Sequence, residues 1–256
     1  KIIINAISAY DELTEIINIM YERLREWYGL HFPELERIVK KYTLYSRLVA
    51  EIGEREGFTL EALRKGGIDE RTARKISEIA GTSIGISFDE RDLDVVVSFA
   101  EHLVSTIKER DLLEKYIEET LREYAPNMTA LLGPKLTGKL ISKAGGLRRL
   151  AMLPASTVQL LGAEKALFRA LRKGGKPPKH GIIFQHPAVN KAPKKLRGKI
   201  ARALASKISI AARIDVFGTE NVGKKLREGF EAKVKEIYKK YSAVKQQEKK
   251  GRRRRR

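Results

Sequence analysis

The chain has 256 residues, 42% of them apolar, enough for one large domain or two ordinary ones with packed cores. Lys and Arg total 52 against 32 Asp and Glu, a formal charge of +20 with a pI near 10.0, which favours a polyanion, nucleic acid first, as partner. The absence of cysteine excludes disulfides, thiolate zinc sites, iron–sulfur clusters and cysteine nucleophiles. No run approaches 18 apolar residues and Lys1-Ile-Ile-Ile-Asn5 lacks a signal-peptide pattern, so a soluble intracellular protein without a membrane partner is expected. The missing initiator Met points to a chain that begins inside a longer one.

The charge is divided. Residues 1–124 carry 25 acidic and 18 basic side chains, a net of −7, whereas residues 125–256 carry 7 acidic and 34 basic, a net of +27. No carboxylate occurs between Glu123 and Glu164 or between Glu164 and Asp215. The first half reads as a mixed-charge scaffold and the second as a polyanion-binding surface. The boundary falls at Tyr124-Ala-Pro126, where Pro126 disfavours a helix through Ala125.

In the first half, Ile3, Tyr10, Ile17 and Leu24 recur every seven residues, with Ala6, Leu13, Met20 and Trp27 in the offset register. This predicts a coiled-coil helix that ends at His31-Phe-Pro33. Glu34–Gly57 has helical spacing, Thr59–Ile86 reads as a short helical cap, and Asp89–Tyr124 predicts a second long helix with Val96, Ala100, Leu103, Ile107, Leu113, Ile117 and Leu121 on one stripe. The two long helices predict an antiparallel hairpin with arms roughly 50 Å long. One seam would close the hairpin and leave Trp27, Tyr28 and other aromatics for self-association.

In the second half, helices are predicted over Pro134–Ala144, Ser156–Leu161, Ala163–Arg172, Lys194–Ile210 and Glu220–Tyr241. Gly174-Gly-Lys-Pro-Pro-Lys-His-Gly181 reads as a loop and Ile182-Ile-Phe184 as a short extended piece. The terminal segment 243–256, closing on Arg252–Arg256, reads as a disordered basic tail.

Catalytic signals are weak. Gly133-Pro-Lys-Leu-Thr-Gly-Lys139 approaches a phosphate-loop pattern, but Leu140 stands where magnesium needs Ser or Thr, so a plain helix entry is the better reading. The four histidines are too scattered for a metal cluster, and the carboxylate shortage leaves no acid–base pair; no catalytic residue, metal or cofactor is expected. Glu164 stands near a helix start, and Asp215 is expected to pair with Arg213 or to cap the turn before the last helix. Two constellations suit binding instead. Leu153-Pro-Ala155-Ser156-Thr157 opens a helix whose N–H groups could meet a phosphate, with an ordinary N-cap as the alternative. Lys195, Arg197, Lys199, Arg202, Lys207 and Arg213 surround an Ala- and Ile-rich stripe, so one helix face can pack while another meets an anion.

Three segments carry a family resemblance: Leu150-Ala-Met-Leu-Pro-Ala-Ser-Thr-Val-Gln-Leu-Leu-Gly-Ala-Glu-Lys-Ala-Leu-Phe-Arg169, His180-Gly-Ile-Ile-Phe-Gln-His186, and Leu204-Ala-Ser-Lys-Ile-Ser-Ile-Ala-Ala-Arg-Ile-Asp-Val-Phe217. With Leu24-Arg-Glu-Trp-Tyr28 and His31-Phe-Pro-Glu-Leu35 in the first half, the chain resembles the Nop family, scaffold proteins of box C/D ribonucleoproteins that guide RNA 2′-O-methylation. The resemblance implies an all-α protein: a long antiparallel coiled-coil hairpin with helical tip over 1–124, then a compact helical Nop domain over 125–242. It implies a non-catalytic scaffold that recognises a kink-turn in the guide RNA together with a small bound protein of the ribosomal-protein-like kink-turn-binding type, and that self-associates through the coiled coil. By motif, Ala155, His180, Arg202 and Arg213 match positions facing the RNA, and Arg169 lies near guide-bound RNA; Ser156, Thr157, Lys179, Lys199 and Lys207 complete the expected RNA-binding set. Gly162, Ala163, Glu164 and Lys165 look like the partner-protein contact. The family's amino-terminal domain, which binds fibrillarin, has no counterpart in these residues. The archaeal form is favoured, hence a cytoplasmic protein, nucleolar if eukaryotic. The rival reading is an architectural DNA-binding coiled-coil protein, though no helix-turn-helix or zipper-fused basic region supports it.

Overall fold

The structure, a computed structural model, describes the backbone of residues 1–253 and the side chains of 1–242; the last helix continues over 243–253, where the sequence reads as a disordered basic tail, and residues 254–256 of that tail lie outside the described residues. Among the described residues there are helices and two 3₁₀ turns and no strand, so the fold is all-α as expected. Contacts divide the chain into two compact units, one of Ala9–Glu114 and one of Lys1–Ser8 with Lys115–Arg256.

The Ala9–Glu114 unit is built on two long helices, α1 (Ile2–His31) and α6 (Glu90–Tyr124), whose outer ends belong to the other unit. They run antiparallel: the Tyr10 hydroxyl donates to Glu114 at 3.3 Å, and the Trp27 ring lies 6.2 Å from Phe99. The heptad stripe forms the seam, with Ile17 and Leu24 of α1 buried among Val96, Ala100, Leu103 and Ile107 of α6. Between the arms come α2 (Pro33–Ile38), α3 (Tyr42–Glu51), a 3₁₀ turn, α4 (Leu60–Lys65) and α5 (Glu70–Ala80). Thr59 and Asp69 start the last two by accepting the Ala62 and Thr72 N–H groups at 3.2 and 3.1 Å. Arg55 ties this cap to the end of α1, donating to the carbonyls of His31 at 3.2 Å and Gly85 at 2.7 Å and to the Ser87 hydroxyl at 2.8 Å.

One expectation fails here. Tyr28 is not available for a second copy: its ring is fully buried against Tyr45 and its hydroxyl donates to the Gly53 carbonyl. The physical reason is that it sits one turn after Leu24, on the side of α1 that receives α3 as well as α6. Trp27 is half-buried beside Phe99.

In the second unit, α7 (Pro126–Leu132), α8 (Pro134–Ala144), α9 (Leu147–Met152), α10 (Ala155–Leu160), α11 (Glu164–Lys173), α12 (Pro187–Asn190), α13 (Arg197–Phe217) and α14 (Gly223–Arg253) follow one another. Helix α13 is the axis. Its Ile200, Ala201, Leu204, Ala205, Ile208, Ala211 and Ala212 are buried, and the alanines let α7, α9, α10 and α14 approach closely. It runs two turns beyond the predicted end at Ile210, because nothing after Ile210 opposes a helix until Gly218. The phosphate-loop look-alike is indeed a helix entry: Gly133 precedes α8, and Gly138 faces Ile7 and Leu121 in close packing.

Asp215 does neither of the things expected of it. Its carboxylate accepts from the Asn127 N–H, the Met128 N–H and the Asn127 side-chain amide at 2.8–2.9 Å, capping α7 from 88 residues away. Asn127 in turn binds the Glu220 carbonyl and the Val222 N–H, closing the link between α13 and α14. Asp215→Ala would strip three donors of their acceptor, and the unfolding free energy measured in urea should drop by about 2–3 kcal/mol, with Asp215→Asn losing less.

Burial holds the His31 and His186 imidazoles below their ordinary range. The unfolded chain binds those protons near pH 6.5 and the folded chain resists, so stability is complete above about 6.5 and declines as the pH falls below it. Urea unfolding at pH 7.5 and 5.5 should show this loss. His186→Asn should flatten the slope, because it keeps a side-chain acceptor at the α12 N-cap, where His186 Nδ1 now accepts the Ala188 N–H at 3.2 Å.

Candidate nucleic-acid interface

On α13 at 100° per residue, Lys199, Arg202, Ser206 and Arg213 fall within an arc of about 60°, and Arg202 and Arg213 stand about 16 Å apart along the axis. Lys199, Arg202 and Arg213 are exposed. Lys207 points away from this arc and lies beside Gly229 of α14. The stripe is therefore shared by Lys199, Arg202 and Arg213 but not by Lys207.

Helix α10 packs on α13. Ser209 Oγ donates to the Leu153 carbonyl at 3.4 Å and Arg213 Nε to the Ala151 carbonyl at 3.2 Å, so the second half of α13 fixes the joint between α9 and α10. Arg213 thus has a structural contact that sequence reasoning missed. Ala155 is half-buried as the first residue of α10, and Ser156 and Thr157 are exposed in its first turn. Neither hydroxyl caps the helix; Pro154 occupies the cap, and the ordinary N-cap reading is corrected accordingly.

His180 is set by backbone contacts rather than by the Pro177-Pro178 loop. Gly181 N–H donates to the Gln159 carbonyl and Ile182 N–H to the Leu161 carbonyl, both at 2.8 Å, and the Gln159 side-chain amide donates to the Lys179 carbonyl at 2.7 Å. The strands of chain run so close that a Cβ on Gly181 would sit 2.1 Å from the Leu161 oxygen. After this pairing the chain turns, with Phe184 N–H returning to the Gly181 carbonyl, so the expected extended piece is a 3₁₀ turn, Ile182–Gln185. The turn lays the Phe184 ring on His180, centroids 4.6 Å apart and 11° from parallel. Burial first, then the nearby Arg197, keeps the half-buried His180 below the ordinary histidine range, so the ring is neutral at pH 7. The Lys179 stem lies along Gly198, one turn before Arg202, which joins the His180 turn to the α13 stripe.

Helix α11 stands apart. No residue in it is buried; Phe168 and Leu171 are 62% and 70% exposed. Lys165, Arg169, Arg172 and Lys173 surround Phe168 at a shallow cavity of about 510 Å³. The predicted partner segment is its entry: Gly162 takes a positive φ of 83°, which suits glycine, and its N–H donates to Glu164 at 2.7 Å. Three groups result, the α10–α13 face with His180, the α11 surface, and Lys207 by itself. Sequence reasoning missed Gln159, Gly181 and Phe184; only the Gly and aromatic residues of His180-Gly-Ile-Ile-Phe184 carried any signal.

This arrangement offers cations, hydroxyls and a neutral aromatic stack. The comparisons with known proteins give the same direction. A family profile described as Nop, snoRNA binding domain, fibrillarin, matches residues 9–236. The chain belongs to the Nop family. A NOP5 family protein of Methanocaldococcus jannaschii is 47% identical over 241 residues, covering 94% of this chain and 58% of that protein. Human nucleolar protein 56 is 42% identical over 240 residues, covering 91% of this chain and 40% of its own length. A crystal structure of a fibrillarin/Nop5p complex matches with a TM-score of 0.56 at 27% identity, over 93% of this chain and 68% of that one. The chain spans about half the length of the curated Nop relatives it matches.

Two glycines of this Nop chain give opposite expectations. Gly181→Ala should destabilise the protein by more than about 2 kcal/mol and displace His180, since a methyl cannot share space with the Leu161 carbonyl. Gly198→Ala, whose Cβ would meet only the flexible Lys179 stem at 3.5 Å, should fold as well as the parent or slightly better. Thermal unfolding of the two variants side by side checks both.

Proposed function

We propose that this chain is a non-catalytic RNA-binding scaffold of the box C/D ribonucleoprotein that guides RNA 2′-O-methylation. It recognises a kink-turn RNA together with the small ribosomal-protein-like protein bound to it. The observation that carries the reading is the α10–α13 face, where Lys199, Arg202 and Arg213 line one strip on a helix whose one acid, Asp215, is held by α7, and the His180 ring is preset beside it. Charges on such a strip meet phosphates, and a flat neutral ring reads unstacked bases. The relatives' names, nucleolar protein and NOP5 family, agree with an RNA-binding role and name no enzyme. Residues 125–242 carry RNA and partner-protein binding, with Gly162-Ala163-Glu164-Lys165 and the exposed α11 surface as the protein contact and Arg169 nearest the guide. Residues 1–124 carry self-association, supported by Ile16, Ile19 and Leu112, apolar residues left exposed on the hairpin. Fibrillarin binding is assigned to parts of the longer relatives outside the span aligned here, and the protein works in the cytoplasm of an archaeal cell or the nucleolus of a eukaryotic one.

Gel-shift titration on a kink-turn RNA, with and without its small protein, tests this. Arg202→Ala and Arg213→Ala should each cost about 1–3 kcal/mol of affinity. His180→Ala should lower discrimination for the kink-turn over plain duplex more than it lowers overall affinity. Higher salt should weaken all RNAs. Equal affinity for kink-turn RNA and duplex DNA would sink the scaffold reading in favour of DNA architecture, and a strict monomer in sedimentation at micromolar concentration would remove self-association.

A further inference from the structure

In the second unit a groove of about 570 Å³ runs between the α7–α8 joint, the start of α12 and one side of α14. Its floor is apolar, formed by Leu131, Leu132, Pro187, Ala188, Phe230 and Val234, and none of these belongs to the binding set argued above. At 100° per residue, Arg227, Phe230, Glu231, Val234 and Lys235 share one side of α14, roughly half a turn round from Gly229, where Lys207 of α13 lies. The groove is thus separate from the Lys207 contact. The same side of α14 continues past the groove to Tyr238, 37% exposed, and Tyr241, so the apolar stripe from Phe230 to Tyr241 spans about 17 Å, or about three helical turns. Polar groups border it. His186 Nδ1 accepts the Ala188 N–H at 3.2 Å, which leaves the proton of the neutral ring on Nε2, and no described residue accepts it. Along the edge, Lys224, Arg227, Lys235 and Lys239 stand exposed against Glu228 and Glu231, and Glu231 is already paired with Arg227 at 3.1 Å. Glu236 is taken by Lys233 and Lys240, so Lys224 and Lys235 form no ion pair among the described residues.

We propose that this groove docks an amphipathic helix of a partner protein that presents an apolar stripe flanked by carboxylates. Three observations select that occupant. Apolar side chains spaced by three and four along a partner helix match the stripe of about three turns on α14. Carboxylates complement an edge with two unpaired lysines and an excess of bases over acids. The His186 Nε2–H supplies a donor in an apolar surround, where a hydrogen bond to a charged acceptor is strongest. Nucleic acid is a poorer match: Phe230 is buried and perpendicular to His186, so the floor is mostly aliphatic where a base needs an open ring face. A second copy of residues 125–256 is a poorer match too, because it brings a net charge of +27 to an edge that is already basic. The inference does not rest on the RNA reading, and it gives the chain a protein contact apart from α11.

The test uses the full chain, labelled at Leu, Val and Ala methyls for NMR, and three synthetic peptides of about four helical turns. The first carries leucines at helical spacing flanked by glutamates, the second has lysines in place of those glutamates, and the third shuffles the residues of the first out of helical spacing. The glutamate peptide should shift the Leu132, Ala188 and Val234 methyls to saturation and bind at least about tenfold more tightly than either control. Lys235→Glu should weaken that peptide about 3–10-fold and strengthen the lysine peptide. Ala188→Leu, which fills the floor, should abolish the shifts at Leu132 and Val234 while the thermal unfolding midpoint stays at the parent's value; if that variant unfolds, Lys235→Glu, at an exposed residue, carries the test. Absence of saturable shifts at about 1 mM glutamate peptide, the weak end of measurable affinity, overturns the proposal. Equal binding of all three peptides, or binding that ignores Lys235→Glu, overturns it as well. A kink-turn RNA that shifts the same methyls and displaces the glutamate peptide would give the groove to RNA and remove the protein helix.

Discussion

The burial of α13 governs the rest of the second unit. A helix whose alanines and isoleucines are enclosed by α7, α9, α10 and α14 has only a narrow strip left facing water, and that strip is where Lys199, Arg202 and Arg213 must lie. Small residues on the enclosed faces allow close approach of the neighbours, and close approach brings the carbonyls of Ala151 and Leu153 within reach of Arg213 and Ser209. The last turn of the same helix carries Asp215, whose carboxylate caps α7. A single element thus orders the fold at its far end and displays the cations along its length.

The site depends on a second constraint, the near contact of Gly181 with the backbone at Leu160 and Leu161. Two hydrogen bonds there fix the two residues after His180 without any regular sheet, and the chain is forced into a 3₁₀ turn that stacks Phe184 on the imidazole. Ordering these groups in the free protein lowers the entropy that would otherwise be lost on binding. That matters more here than extra charge would, because a chain of +20 already attracts any polyanion, and discrimination must come from rigid shape.

Much of the fold could be read from the residues, and the reasons for the exceptions are specific. The seven-residue recurrence of Ile3 to Leu24 and the stripe from Val96 to Leu121 are long enough for periodicity to be unambiguous, and both helices are found with ends within a residue or two of expectation. Helices α7, α9 and α12 were not foreseen; at four to seven residues they hold too few turns to show a period. Tyr28 misled because heptad logic counts one partner per helix, whereas α1 receives two. Asp215 misled because its acceptors' partners lie 88 residues away, a distance over which local reasoning about caps and i,i+2 pairs says nothing. The cationic strip was legible from helical spacing alone, but Gln159, Phe184 and the Gly181 contact were not, since they become a site only when two loops meet.

These constraints explain the division of labour along the chain. The hairpin unit is held by long apolar seams and by buried hydrogen bonds such as those of the Arg55 guanidinium and the Tyr28 hydroxyl to backbone carbonyls, none of which needs a basic surface. Between Glu123 and Glu220 the second unit carries only two acids, and both are engaged by backbone: Asp215 at α7 and Glu164 at Gly162, while Glu231 and Glu236 pair with bases of α14 itself. With both committed to capping, neither is free to quench Arg202 or Lys199, and the strip stays positive. A mutation that freed either carboxylate would therefore act twice, loosening a helix start and lowering the potential of the cationic strip, so stability and surface charge in this unit are coupled through Asp215 and Glu164.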